Sequence, residues 1–215
     1  MRSPVEPVFE GRAGSIPFAF QEQFLLTPEH AHEILLDGEM RSIWYPAALT
    51  PLFWALGKIG MLVPIRGKRV PTTLHVIPVR RPDGTPVHEW NRTFRLRKEV
   101  RFNTTIVWDA RHNNLADLVS APRLLRMVWE AKFTGPDTFT LKSIANALTI
   151  GPWVLWLPRW CWRFILGTVE FRQTASRDQE NRVTIDLRIV HPIFKTVFRY
   201  VGEFQTRRVP KGSYR

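Results

Sequence analysis

Residues Trp90–Trp108 read WNRTFRLRKEVRFNTTIVW. Trp90, Phe94, Leu96, Val100, Phe102, Ile106 and Trp108 share one parity, and Asn91, Thr93, Arg95, Arg97, Glu99, Arg101 and Asn103 share the other. A period of two sends alternate side chains to opposite faces of an extended strand, whereas a helix would mix the two sets. The run is longer than an ordinary strand of about five or six residues, so two segments joined by a bend or bulge are expected.

Working outward, Arg81-Pro82-Asp83-Gly84 is a turn signal between Thr72–Val79 and Val87–Leu96, which predicts a hairpin. Alternation returns in Met127–Phe133, with Gly135-Pro136-Asp137 as a turn before Phe139–Ile150, and again in Val183–Ile189. Thr168–Gln173, Thr196–Gln205 and Ile34–Trp44 are also extended in character, the last with a bulge expected at Asp37-Gly38. One helix stands out. Thr50-Pro51 is a cap followed by proline, and Leu52, Phe53, Leu56, Ile59 and Val63 follow helical spacing, which predicts a helix over Pro51–Leu62. The expected class is α+β and mainly antiparallel β. About seven to nine strands in one sheet must coil strongly or close into a barrel, packed on one or two helices. No linker or repeat divides the chain. Residues 16–206 are read as one domain, residues 1–15 as a flexible lead and residues 207–215 as a flexible basic tail.

The chain has 215 residues, with 31 Lys and Arg against 19 Asp and Glu, a net charge of +12. That excess favours anionic partners. Nucleic acid is disfavoured, because the aromatics near Arg95, Arg97 and Arg101 occupy the opposite face of the strand. A single cysteine, Cys161, rules out an internal disulfide and is read as a buried, inert thiol. No secretion signal is visible, so the expected location is the cytoplasm, including the inner face of the membrane. Ile43–Pro64 and Ile150–Leu166 are both too interrupted by proline to read as spanning helices.

The order GEMRSIW (Gly38–Trp44), LTPLFWALGKIGMLVP (Leu49–Pro64), WNRTF (Trp90–Phe94), LPRW (Leu157–Trp160) and IVHPIFKTVFRYVGEF (Ile189–Phe204) resembles the bacterial family called domain of unknown function 4166. The resemblance covers about Leu25 to Phe204. It implies a bacterial source and a partnership with a reductase-type protein, since members occur alone or joined to a nicotinamide-dependent reductase-type domain. It implies no reaction. This chain has no G-x-G-x-x-G loop, so no nicotinamide or other cofactor is expected.

Candidate sites are few. No H-E-x-x-H, nucleophile elbow or metal spacing occurs, so no metal site is expected. Arg92 and Lys98 interrupt the apolar parity, and an inward charge needs a partner such as Glu39 or a ligand anion. They are read as ligand-binding, with Phe94 and Trp44 alongside. His191, at a strand end before Pro192, is the candidate catalytic proton carrier, against the simpler reading of an imidazole bonded to backbone. Trp153, Trp156, Arg159, Trp160, Trp162 and Arg163 form a Trp- and Arg-rich segment. Three readings stand for it: a plug in the core, an interface with anionic lipid, or a protein-docking patch. The function expected first is a binding module with an apolar pocket for a lipid-like or hydrophobic small molecule, in contact with a membrane. The alternatives are an enzyme or accessory domain acting with a separate NAD(P)-dependent reductase, and a protein-interaction domain.

Overall fold

Two strands carry the Trp90–Trp108 alternation, Pro86–Arg95 and Glu99–Asp109, and they pair antiparallel with Arg95 opposite Glu99. The computed structural model describes residues 3–10, 16–119, 124–150, 153–165 and 167–213. Their elements, in chain order, are α1 (Glu6–Phe9), α2 (Phe18–Phe24), β1 (His32–Trp44), α3 (Thr50–Lys58), β2 (Gly67–Arg80), β3 (Pro86–Arg95), β4 (Glu99–Asp109) and β5 (Asn114–Val119). There follow β6 (Leu125–Phe133), β7 (Thr138–Ile150), β8 (Trp153–Leu157), α4 (Arg159–Ile165), β9 (Thr168–Ala175), β10 (Arg182–His191) and β11 (Lys195–Pro210).

The strands run β6-β5-β4-β3-β2-β1-β11-β10-β9-β7, and β7 pairs back onto β6 to close a ring. The result is a ten-stranded antiparallel barrel, with β8 as an eleventh strand on β7. The expected class holds, and the strand count is higher because β5 and β8 lack alternation. β5 is buried on both faces from Leu115 to Val119, since its outward Ala116 and Leu118 join Val87, Val107 and Val128 in a small cluster outside the barrel. At β7 the second edge is shared. Thr138–Lys142 pairs with β9 and Asn146–Ile150 with β8, and at the fork the Ser143 hydroxyl accepts the Val169 N–H at 2.9 Å.

The helix expected over Pro51–Leu62 ends earlier, at Lys58, where Gly60 turns the chain with φ 68°. The bulge expected at Asp37-Gly38 lies instead between Met40 and Ser42, and Gly38 serves a close approach: a Cβ there would sit 2.0 Å from the Glu203 carbonyl oxygen.

The ends also need correction. Residues 3–10 are not a loose lead, because apolar side chains in them have a core to enter. Val5 and Phe9 are buried, and with Phe20, Phe24 and Leu26 they fill one end of the barrel. Phe9 meets Phe133 edge-on at 5.1 Å, and Phe24 lies 5.0 Å from Phe139 and 5.9 Å from Trp90. Each such ring contributes about 1.5–3 kcal/mol by leaving water. Two buried polar contacts fix the plug: Gln173 donates to Gln23 at 2.6 Å, and His88 Nε2 donates to the Leu26 carbonyl at 2.7 Å. Residues 207–210 are not a free tail either. They complete β11 opposite β1, with Val209 buried and Arg208 paired to Glu22. Residues 1–2, 11–15 and 214–215 lie outside the described residues.

Candidate functional site

A pocket indents the end of the barrel opposite the plug. A cavity of about 260 Å³ is lined by Phe102 of β4, Val119 of β5, Leu125 and Met127 of β6, Leu187 and Ile189 of β10, and Phe198 of β11. Leu52, Phe53 and Leu56 of α3 and Trp162, Phe164 and Ile165 of α4 line its other end. These parts reach one place because β1 and β10 end there, α3 is inserted between β1 and β2, and α4 is inserted between β8 and β9. Leu52, Phe164, Ile165 and Phe194 line the cavity and are also exposed, so they mark its mouth.

Arg92 of β3, Asp117 of β5, His191 of β10 and Tyr200 of β11 are the titratable side chains that line the cavity. Arg92 points inward from β3, buried, with its guanidinium 5.3 Å from the ring centres of both Trp90 and Phe102. Its Nη1 donates to the Thr104 hydroxyl at 3.2 Å. Burial lifts the Asp117 carboxyl to about 6, against the opposing pull of Arg92 and Thr104. Asp117 Oδ1 has no hydrogen-bond partner. Tyr200 also lines the cavity, and burial raises its phenol while Arg92 pulls the other way.

Sequence reasoning placed Arg92 correctly on the inner face but named the wrong counter-charge. Glu39 lies 3.8 Å from Arg69 in an exposed pair, and Asp117 is the acid near Arg92. Asp117 was missed because Asn114–Val119 had not been recognised as a strand; Leu115, Asp117 and Val119 then share one parity, with an acid among apolar residues. Lys98 does not join Arg92. It is exposed in the β3–β4 turn with Leu96, which is 40 % exposed. Parity misled here because Arg95 faces Glu99 across a three-residue turn, so even-numbered residues stay inward on both strands. Phe94 is fully buried in the core. Trp44 is half exposed, beside Ser42, Thr196 and Arg199 and away from the cavity.

His191 reaches the cavity wall but both ring nitrogens are committed. Nδ1 accepts the Ile193 and Phe194 N–H groups at 3.2 Å each, and Nε2 donates to the Phe164 carbonyl at 2.8 Å. That arrangement ties the β10–β11 turn to α4, and the backbone-bonded reading replaces the catalytic one.

The Trp-rich segment divides three ways. Trp162 is buried in the cavity wall, and its indole N–H donates to the side-chain oxygen of Asn146. Trp156 packs outside the barrel beside Arg111, 4.6 Å from its ring centre, and His112. Trp153 and Trp160 are 76 % and 70 % exposed. Arg159 and Arg163 line a polar groove with Glu130 and Glu170. Cys161 is half-buried rather than enclosed.

Exposed apolar side chains gather at the mouth. Leu52, Trp54 and Ile59 of α3, Ile150 and Trp153 by the β7–β8 turn, Trp160, Phe164 and Ile165 of α4, and Ile193 and Phe194 are all exposed. The same end carries no acid in residues 45–66, 96–98, 158–165 or 192–194, while Lys58, Arg66, Arg97, Lys98, Arg159 and Arg163 fall there. The plugged end carries both signs, with Arg80–Glu29, Arg177–Asp137 and Arg208–Glu22 paired there. Among the described residues no helix is long and apolar enough to cross a membrane, and no three His, Cys, Asp or Glu side chains come together as metal ligands.

Residues 16–204 match the family described as Domain of unknown function (DUF4166), and the chain belongs to that family. It is 31 % identical over 141 residues to the uncharacterized protein YndH of Bacillus subtilis (strain 168), a match over 65 % of this chain. The chain spans 66 % of the length of that curated relative. A crystal structure of a trans-AT PKS dehydratase domain from Brevibacillus brevis aligns over 85 % of this chain and 79 % of that one, at 8 % identity and a TM-score of 0.19. At that score the likeness carries no argument.

Proposed function

We propose that this family member is a binding module that holds a lipid-like small molecule in the barrel cavity and exchanges it with an anionic membrane surface at the mouth. One observation carries the reading: an apolar cavity opens at the end of the barrel where exposed tryptophans and an excess of cations gather. A small-molecule site is typically concave and apolar with a few placed polar groups, and here those groups are Arg92, Asp117 and Tyr200. Indole rings suit the head-group layer of a bilayer, and Lys and Arg around them suit lipid phosphate. Contact would be interfacial, and the inner face of the cytoplasmic membrane is the surface proposed.

Native mass spectrometry of the purified protein, set against the denatured sample, should find an extra mass that denaturation releases. A clean apo mass, together with no uptake from added lipid extract, would remove the binding reading. For the membrane contact, co-sedimentation with vesicles rich in phosphatidylglycerol should weaken as salt rises. Removing two exposed indoles, Trp54→Ala with Trp160→Ala, should reduce vesicle binding by about tenfold or more. Binding that ignores both salt and these substitutions would refute that orientation.

A further inference from the structure

We infer that the polar group within the cavity selects a neutral, protic head group such as an alcohol and discriminates against a carboxylate, with Asp117 Oδ1 as the acceptor and Arg92 as the donor. The inference rests on the cavity being a ligand site.

Asp117 is 7 % exposed, lines the cavity, and has one carboxyl oxygen with no hydrogen-bond partner. A buried acceptor left unpaired is costly, so a bound donor there stabilises the complex by more than the same bond made in water. The Thr104 hydroxyl accepts from Arg92 Nη1 at 3.2 Å and so holds the guanidinium in place. A guanidinium has five N–H groups, so Arg92 keeps donors for a ligand oxygen. Its guanidinium carbon lies 5.3 Å from the ring centres of both Trp90 and Phe102. An alcohol satisfies both demands with one oxygen: its O–H donates to Asp117 and its lone pairs accept from Arg92. A carboxylate has no hydrogen to give and sets a second negative charge against Asp117 in an apolar enclosure.

The titratable side chains that line the cavity are Arg92 of β3, Asp117 of β5, His191 of β10 and Tyr200 of β11. His191 is bonded to backbone through both nitrogens, so it adds no free donor. Burial places the Asp117 carboxyl near 6, which leaves it ionised at pH 8. An anionic head group beside Arg92 is therefore opposed by the neighbouring Asp117 carboxylate.

The test titrates the delipidated full chain at pH 8, by tryptophan fluorescence, with 1-decanol and with decanoate below their aggregation thresholds. The wild type should bind decanol about tenfold tighter or more, the discrimination that a hydrogen-bonding site imposes on a head group that leaves its acceptor unpaired. In Asp117→Asn the charge is gone, and decanoate should become the better ligand. Equal affinities, or tighter decanoate in the wild type, would overturn the inference while leaving the cavity a ligand site. An unchanged preference in folded Asp117→Asn would do the same. If neither amphiphile binds, and the neutral dye N-phenyl-1-naphthylamine does not bind either, the ligand-site reading fails with it. Should Asp117→Asn not fold, Thr104→Val frees Arg92 Nη1 to meet a ligand anion, and the alcohol preference should narrow; an undiminished preference there also overturns the inference.

Discussion

His88 and Asp117 are both enclosed by the barrel, and they titrate in opposite senses. Burial holds the His88 imidazole down at about 4 against an ordinary 6.5, so acid protonates the unfolded chain before the folded one. Stability from His88 is complete above pH 6.5 and is lost as pH falls toward 4, by roughly 3 kcal/mol. Asp117 is lifted to about 6 from 3.8, so here the folded chain takes up its proton first. Acid therefore restores roughly 3 kcal/mol between pH 6 and 3.8, and the two contributions nearly cancel. Asp117→Asn should be more stable than the wild type at pH 8 and should lose stability more steeply between pH 6.5 and 4. Urea unfolding at pH 8, 5.5 and 4 reads both effects, and parallel profiles for the two proteins would contradict this account. Arg92 was legible from parity alone. Its partner was not, because an acid on a six-residue strand shows no pattern until that strand is seen to be one.

At the scale of elements, β1 and β11 are joined most closely at Gly38. A methyl group there would meet the Glu203 carbonyl oxygen and the Phe204 Cα, both backbone atoms that cannot step aside. Gly38→Ala should cost about 3 kcal/mol or more in denaturant unfolding, and a loss under 1 kcal/mol would show that the two strands yield there more easily than this packing implies. The 153–165 segment gives a contrast within one run of sequence. Trp162→Ala removes a buried wall of the cavity and should cost about 3–5 kcal/mol. Trp153→Ala and Trp160→Ala remove exposed rings and should stay within about 0.5 kcal/mol of the parent. Composition marked the segment as unusual but could not sort its tryptophans. That depends on where β7 hands its edge from β9 to β8, a tertiary event.

For the whole molecule, the alternating strands made the antiparallel, barrel-like class readable, because period two survives wherever one face meets a core and the other meets water. The plug was not readable in the same way. Phe9, Phe20 and Phe24 lie on short helices, and Val5 just ahead of the first, and their burial is set by the empty end of a barrel built from residues far along the chain. The excess of cations at the mouth was equally hidden, since it needs the strand directions before acids and bases can be assigned to an end. Closure of the ring has a consequence in time. β1 pairs with β2 soon after both are synthesised, yet its other edge waits for β11, whose register runs from Arg199 opposite Trp44 to Pro210 opposite His32. Until then a thirteen-residue edge stands open on the nascent chain. Contacts so distant in sequence make for slow folding, and an unpaired strand edge is where chains associate wrongly. This barrel should therefore depend on dilution or chaperones while its last strand is still on the ribosome.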